Sequence, residues 1–186
     1  MMSIDFPITE TVVSENPVIQ VKAKSSWFVF YTYPRSEKVV YRELLKMNYE
    51  VFLPMTKTMR VWKNRQKKWV QQVLFPNYIF VNTRQCDLHF INQVPKIVTY
   101  IQCAGKPSVV STKEIETIKK MLFLKEDISV VSTFYKGEKV KIVSGPLIGH
   151  EGILIKQSGK TRFGIELKEI NQTILIDIDT NVLEKA

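Results

Sequence analysis

The chain has few of the residues that build metal sites, disulfide frameworks or membrane spans. It contains two cysteines, Cys86 and Cys103, without a Cys-x-x-Cys spacing, and two histidines. Neither a zinc site nor a disulfide framework is therefore predicted. No apolar run approaches the roughly 20 residues of a membrane helix, and residues 1–24 lack the apolar core of a signal peptide. These absences predict a soluble, cytoplasmic protein that does not act at a membrane.

The side-chain groupings of an enzyme are also missing. The sequence contains no recognisable carboxylate pair, nucleophile with its base, or glycine loop that could hold a phosphate. His89 and His150 stand far apart in the chain, and each is better explained as a structural or surface residue. We therefore predict a binding protein without catalytic residues, metal or cofactor.

Positive charge is what the sequence has in excess, and the excess is confined to its middle. The 27 lysines and arginines outnumber the 18 acidic residues, for a net charge of +9. Residues 25–124 carry 16 basic and six acidic residues, whereas residues 125–186 carry nine of each. A basic excess favours an acidic partner such as nucleic acid. The middle segment is where such a partner is expected to bind.

This middle segment, residues 25–124, alternates predicted strands and helices around a mainly antiparallel sheet, which indicates an α+β domain. Residues 27–33 are aromatic and β-branched and predict its first strand. Ser36 is a suitable N-cap for a first helix, and Ser111 or Thr112 for the last one. Residues 1–24 are predicted to be a flexible extension.

The first predicted helix has a basic ridge opposite its apolar side. At about 100° per residue, four basic side chains fall within an arc of about 80°. They are Arg35, Lys38, Arg42 and Lys46. Such a ridge is either a solvated surface or a contact for phosphates, and its single sign favours the phosphates.

A β-hairpin is predicted over residues 56–73, around a polar turn at 63–67. Its basic residues, which no acid interrupts, are Lys57, Arg60, Lys63, Arg65, Lys67 and Lys68. They are interleaved with Trp62 and Trp69. Two explanations stay open, because basic and aromatic residues together can bind nucleic acid, whereas basic hairpin tips can also serve solubility alone.

The most informative string is Leu-Phe-Pro-Asn-Tyr-Ile-Phe-Val at residues 74–81, in which a proline precedes an aromatic strand. Side chains alternate along a strand, so Tyr78 and Phe80 share one face while Ile79 and Val81 share the other. One face is expected to be core, and the other is a candidate contact surface.

The last part of the chain has a different pattern of predicted secondary structure. Residues 125–134 are predicted to be a linker, and residues 135–186 a second, all-β domain of short strands and regular turns, as in a small barrel. Five residues of this segment form a motif: Gly137, Val140, Gly145, Pro146 and Gly152. Through them the sequence resembles the KOW motif of NusG-type and some ribosomal proteins. A turn is expected at Gly145-Pro146, and a close backbone approach at Gly152.

The middle segment resembles the amino-terminal domain of the NusG family of transcription elongation factors. The resemblance rests on residues 27–31, on the Pro-Arg-Ser-Glu-Lys sequence at 34–38 and on residues 74–81. With the KOW motif it covers about residues 25–186. It implies a NusG-type antiparallel sheet with flanking helices, followed by a small KOW barrel.

The same resemblance implies a function and its residues. Family members bind the clamp of RNA polymerase, bridge the DNA cleft and suppress pausing or termination. The positions matching polymerase contacts are Tyr31, Phe75, Tyr78 and Phe80. Contact with the non-template DNA strand is expected from Arg35, Lys38, Arg42, Lys46 and Lys96. The KOW domain would bind a protein such as ribosomal protein S-ten.

Three functional alternatives follow from these motifs. Asn77 stands where housekeeping members usually carry glycine, and together with the extension at 1–24 it resembles the specialised RfaH and UpxY paralogues, which are operon-specific antiterminators. A housekeeping NusG-like factor is the second alternative. An RNA-binding ribosomal-type KOW protein is the third, although the basic excess lies outside the KOW segment.

Overall fold

The computed structural model describes residues 25–62, 65–124, 128–132, 137–157, 160–178 and 183–185. The predicted extension, residues 1–24, lies outside the described residues. Within these ranges no helix is long and apolar enough to cross a membrane. The same ranges hold no group of three His, Cys, Asp or Glu side chains that could bind a metal ion.

The secondary structure alternates strands and helices up to residue 123 and continues with strands, as predicted. The elements in chain order are β1 (Ser26–Thr32), α1 (Glu37–Lys46), β2 (Glu50–Phe52), β3 (Met55–Val61), β4 (Lys67–Val73), β5 (Tyr78–Thr83), α2 (Leu88–Asn92), β6 (Ile97–Tyr100), β7 (Gln102–Cys103), β8 (Lys106–Pro107), β9 (Val109–Val110), α3 (Thr112–Phe123), β10 (Ile128–Val131), β11 (Glu138–Ile142), β12 (Glu151–Gln157), β13 (Lys160–Leu167), β14 (Gln172–Asp177) and β15 (Leu183–Lys185).

The first sheet, in the order β2-β5-β1-β6 with β9 also paired to β1, is antiparallel throughout. Strand β1 pairs with β5 from Ser26 opposite Thr83 to Tyr31 opposite Tyr78. One face of this sheet packs on α1 and α2, through a cluster that includes Phe30, Ile79 and Val40. The α+β class predicted from the sequence is confirmed.

The opposite face of the first sheet is covered as well. Trp27, Val29 and Phe80 belong to a second buried cluster, which α3 joins through Ile115 and Ile118. Helix α3 begins with a capping box, in which the Glu114 N–H donates to Ser111 Oγ (3.2 Å) and the Ser111 N–H to Glu114 Oε2 (2.8 Å). Ser111 is thus the N-cap, and the sheet is enclosed by helices on both sides.

The second sheet has the order β10-β14-β13-β12-β11-β15, again antiparallel. Its edge strand β10 lies inside residues 125–134, so part of the segment predicted as a linker is a strand. Ile128, Val130 and Val131 are suited to this role, because they present apolar and β-branched side chains to a sheet. The core of the second sheet, including Phe163 and Ile174, is continuous with the cluster that contains α3.

Candidate functional site

A tight turn that begins at Phe75 places the aromatic string at the end of the first sheet. The Tyr78 N–H donates to the carbonyl of Phe75 (3.2 Å), and the Thr32 N–H donates to the carbonyl of Asn77 (2.8 Å). The Asn77 N–H donates to Oε1 of Glu37 (2.9 Å), and Glu37 is only 6% exposed. The turn is therefore joined to the end of β1 through Thr32 and to the first turn of α1 through the buried Glu37 carboxylate.

The backbone of Asn77 adopts a conformation that would accept glycine as well. Its φ is +70°, in the left-handed region that glycine adopts freely and asparagine tolerates better than most residues. Exchange between Asn and Gly is therefore conservative for the backbone. The difference is the amide side chain of Asn77, which lines a cleft beside the turn.

Tyr31 and Tyr78 form a cross-strand pair at this end of the sheet. Their residues are opposite each other in the β1–β5 register, and their rings meet edge to face with centroids 5.5 Å apart. Both are half-buried. Burial, with a smaller contribution from the neighbouring Tyr31, raises the pKa of Tyr78. The Tyr78 hydroxyl therefore stays protonated at neutral pH and can donate a hydrogen bond.

The tyrosine pair lies on one wall of a cleft of about 650 Å³. The second sheet and the residues around its first strand provide the other wall, through 128–130, Ser132 and Gln172. Pro76 and Asn77 line the cleft next to the tyrosines. Tyr31 and Tyr78, two of the four expected polymerase contacts, thus line a cleft between the two sheets.

Phe75 and Phe80 are not on this surface, contrary to the expectation from the sequence. Both are 0% exposed, and their rings pack edge to face with centroids 5.9 Å apart. Side chains alternate along β5 as predicted. Neither face of the strand is free, since α3 packs on the face that carries Phe80, and α1 and α2 pack on the other face. In this arrangement the two phenylalanines support the core, and only the tyrosines reach the cleft.

Three residues of the predicted basic ridge, Lys38, Arg42 and Lys46, are exposed on α1. Arg35 is not part of the ridge, because it precedes the helix and has a positive φ. The ridge is also not purely basic. Lys46 Nζ forms a salt bridge with Glu43 Oε1 (2.9 Å), one turn earlier in the helix. Arg42 Nε donates to the carbonyl of Lys38 (3.2 Å), and Lys38 Nζ donates to the carbonyl of Gln71 in β4 (3.1 Å). The ridge therefore lies against the base of the β3–β4 hairpin, and its far end is partly neutralised.

Arg35 and Lys96 share an unusual backbone conformation and a common location. Their φ angles are +61° and +76°, which costs roughly 1–3 kcal/mol for a residue other than glycine and is tolerated only where neighbours impose it. The Tyr33 N–H donates to the carbonyl of Lys96 (3.0 Å), which joins the two loops. Both exposed side chains lie at the end of the sheet that carries the tyrosine pair.

The KOW residues shape one turn and one close approach in the second sheet. Gly145 has φ +84° in a turn where the Gly149 N–H donates to the carbonyl of Ile142 (2.7 Å). Gly152 is constrained differently, since a Cβ there would meet the carbonyl of Gly164 and, at 2.6 Å, the ring of Phe163. Val140 is 2% exposed in the core. A Cβ on Gly137 would lie 2.8 Å from the Leu154 carbonyl, whereas Pro146 is exposed in the turn.

His150 forms a polar contact between the second sheet and α3 that sequence patterns did not indicate. Its Nδ1 lies 2.5 Å from Thr117 Oγ1, and its Nε2 lies 3.0 Å from Lys120 Nζ. An ammonium group can only donate, so Nε2 accepts and Nδ1 carries the proton. Thr117 in turn donates to the carbonyl of Lys113 (2.7 Å). Burial, and then Lys120, lower the pKa of His150, with a smaller opposing effect of Glu116.

This geometry predicts that the contact weakens in acid. A histidine whose pKa is lowered by the contact stabilises it fully above its ordinary pKa of about 6.5, and less as the pH falls below that value. Between about pH 7.5 and 5.5 we expect the wild type to lose about 0.2–1 kcal/mol more stability than His150→Gln, as for other partly exposed charges. Thermal unfolding at both pH values measures the difference. His89→Gln is the matched control, and equal losses in wild type and His150→Gln would rule the contact out as the cause.

Comparisons with known proteins converge on one family. The family model described as "Transcription termination factor nusG" matches residues 25–119, just over half of the chain. The "Transcription termination/antitermination protein NusG" of Halalkalibacterium halodurans is 23% identical over 177 residues, covering 87% of this chain and 99% of that protein. The protein of the same name from Streptococcus pyogenes is 29% identical over 145 residues, covering 70% and 79%.

A solved structure supports the same fold. The structure described as "Domain interaction in Thermotoga maritima NusG" covers 87% of this chain and 97% of its own, with 20% identity and a TM-score of 0.52. At this identity the likeness concerns the fold. It extends over both sheets of the chain, not only over the part that the family model matches.

Proposed function

Because the chain belongs to the NusG family of transcription termination and antitermination factors, we propose that it binds the clamp of RNA polymerase through Tyr31 and Tyr78, bridges the DNA cleft and suppresses pausing or termination. The observation that carries this proposal is the tyrosine pair, which the turn at Asn77 holds at one end of the first sheet, in the lining of the cleft. Tyrosines that combine an apolar ring with a free hydroxyl are frequent anchors of protein interfaces.

Docking of polymerase requires more room than the cleft offers. A cleft of about 650 Å³ has the size of a small-molecule site, whereas a stable protein interface buries about 800 Å² on each partner. The second sheet would therefore have to move away from the tyrosines when polymerase binds. The contact between His150 and α3 is one of the interactions that such a movement breaks.

For the non-template DNA strand we propose the basic residues at the start of α1 and in the neighbouring loop. Arg35 and Lys96 are held in strained loops that share a hydrogen bond, and Lys38 and Arg42 continue the surface along the helix. Each phosphate that such residues neutralise adds to the salt dependence of binding. Lys46 is the weakest candidate of the set, since Glu43 already pairs with it.

The division of the chain supports separate partners for its two parts. We propose a polymerase-binding domain at 25–124 and a KOW domain at 135–186, with residues 125–134 between them. Residues 135–186 carry eight basic and seven acidic residues, a nearly neutral balance that favours a protein partner such as ribosomal protein S-ten over a phosphate backbone. The same neutrality argues against an RNA-binding ribosomal-type protein.

We further propose that the protein is an operon-specific paralogue and not a housekeeping factor. The support is the amide side chain of Asn77 at the cleft and the extension at 1–24. A housekeeping role remains the alternative, because the backbone at Asn77 accepts glycine equally well. Transcription of a panel of operons in a deletion strain distinguishes the two, since a specialised factor alters few of them.

The polymerase contact is tested by replacing Tyr78 with alanine. We expect the affinity for core RNA polymerase to fall about 30-fold or more, the effect of losing an interface anchor worth about 2 kcal/mol, and the effect on pausing to disappear. Binding is measured in a pull-down or by interferometry, and pausing in an in-vitro elongation assay. Tyr78→Phe, which keeps the ring, separates the contribution of the hydroxyl.

Two further variants act as controls for this experiment. Phe123→Ala removes an aromatic ring that is 85% exposed but does not line the cleft, and should bind polymerase normally. Arg42→Ala combined with Lys46→Ala should weaken contact with the DNA strand while polymerase binding persists. If the wild type binds ribosomal RNA tightly and polymerase not at all, the proposed function is wrong.

A further inference from the structure

The β3–β4 hairpin exposes an apolar surface that nothing in the described structure covers. Its strands pair only with each other, with Met59 opposite Trp69 and Val61 opposite Lys67. Residues that are paired in this way lie on the same face of a hairpin. Trp69 is 66% exposed, Val61 64% and Met59 45%. One face of the hairpin therefore presents a tryptophan and two aliphatic side chains to solvent.

Positive charge surrounds this apolar face. Lys57 and Lys67 share the face by the same alternation, while Arg65 and Lys68 are exposed in the turn and on the opposite face. Between residues 51 and 86 the sequence contains no acidic residue, so the hairpin cannot neutralise these charges internally. A patch that is apolar at its centre and cationic at its edge is complementary to an aromatic, anionic partner.

The hairpin is continuous with the basic ridge of α1. The Lys38 ammonium group donates to the carbonyl of Gln71, and Gln71 pairs with Lys57 across the hairpin. Cationic side chains therefore run from α1 across the base of the hairpin to its exposed face. A strand of nucleic acid that follows the ridge would reach Trp69.

We propose that this hairpin binds single-stranded DNA, with Trp69 stacking on a base and Lys57 and Lys67 contacting the flanking phosphates. Bases stack on aromatic side chains only when they are unpaired, and a base stacked on tryptophan buries the apolar face that water now covers. The choice of DNA over RNA rests on the strand contact proposed for α1. The binding itself depends on the hairpin alone and needs no polymerase.

The experiment uses the full chain and a labelled mixed-sequence DNA strand of about 20 nucleotides, longer than the roughly 4–16 nucleotides that such sites span. Fluorescence anisotropy between about 50 and 200 mM salt gives the affinity and its salt dependence. We expect Trp69→Ala to weaken binding about 5- to 150-fold. Lys57→Ala with Lys67→Ala should reduce the slope of log affinity against log salt by about 0.7 for each phosphate that is no longer neutralised.

Intrinsic fluorescence gives a second, independent measurement. Of the three tryptophans in the sequence, Trp27 is 4% exposed, whereas Trp62 and Trp69 are both exposed and lie in or beside the hairpin. Quenching by unlabelled DNA therefore reports on the hairpin. We expect the quenching to be reduced in Trp69→Phe and retained in Trp62→Phe.

Matched controls make each outcome decisive. Phe90→Ala, which removes a ring that is 60% exposed outside the hairpin, should bind as the wild type does. Binding that Trp69→Ala leaves within twofold of wild type, or equal binding to duplex DNA, overturns the stacking proposal. Tighter binding to an RNA strand of the same sequence overturns the choice of DNA. Arg42→Ala with Lys46→Ala tests the DNA contact proposed for α1 separately. Either proposal, the one for the hairpin or the one for α1, can therefore be refuted without the other.

Discussion

Replacement of Phe80 by alanine is expected to lower the free energy of unfolding by about 3–5 kcal/mol, the usual cost of deleting a fully buried phenylalanine. Phe80 is 0% exposed, and its ring lies 5.9 Å from that of Phe75 and 6.0 Å from that of Phe52. The cavity would lie in the cluster that joins the first sheet to α3. A loss of this size is a large part of the roughly 5–15 kcal/mol by which domains are stable.

Urea unfolding followed by circular dichroism measures this effect. Tyr78→Ala is the matched control, since the half-buried Tyr78 lies two residues earlier on the same face and should cost distinctly less stability. The two variants also distinguish a core residue from a polymerase contact, because Tyr78→Ala should impair polymerase binding while the protein remains folded. If Phe80→Ala kept wild-type stability but lost polymerase binding, Phe80 would have to be a contact residue after all.

Replacement of Gly152 by alanine is expected to destabilise the second sheet by about 3 kcal/mol, the upper end of the usual cost of overpacking. The added methyl group would meet the carbonyl of Gly164 and, at 2.6 Å, the ring of Phe163. The carbonyl belongs to the paired strand β13 and cannot move without breaking the ladder. Phe163 is 0% exposed, so its ring has no space to turn away.

Gly145→Ala is the informative comparison for this variant. Nothing lies within 4 Å of a Cβ added there, so its cost of about 1 kcal/mol should come only from the positive φ of +84°. Thermal unfolding of both variants should show the larger loss in Gly152→Ala. The opposite order would mean that the backbone conformation of the turn, and not the space between strands, is the stronger constraint in this motif.

Much of the secondary structure could be predicted because it depends on local chemistry. Strand β1 follows from its aromatic and β-branched residues, and α3 from the Ser111 cap, which the structure shows as a complete capping box. The hairpin was predicted from two extended runs around a polar turn. Residues 128–131 were missed although their β-branched residues suit a strand, because this short edge strand also depends on pairing with β14, which is distant in the sequence.

The candidate site was predictable only in part. The sequence indicated that residues 74–81 form part of the site. As expected, Tyr78 and Phe80 lie on one face of the strand, and Ile79 and Val81 on the other. It could not show that α3 covers the face with Phe80 and leaves Tyr78 at the cleft, since that depends on contacts between residues far apart in the chain. No local pattern could indicate the hydrogen bond between the Asn77 N–H and the buried Glu37 carboxylate, because the two residues are 40 positions apart in the sequence.

By itself, the sequence determined the family, the α+β class, the basic middle segment and the strand that carries the tyrosines, because periodicity, turn chemistry and charge are properties of neighbouring residues. The tertiary structure alone decided which aromatic residues reach the surface, which cation on the α1 ridge is paired, and that His150 meets α3. These features arise when distant segments pack together. A side chain becomes core or contact only according to what covers it.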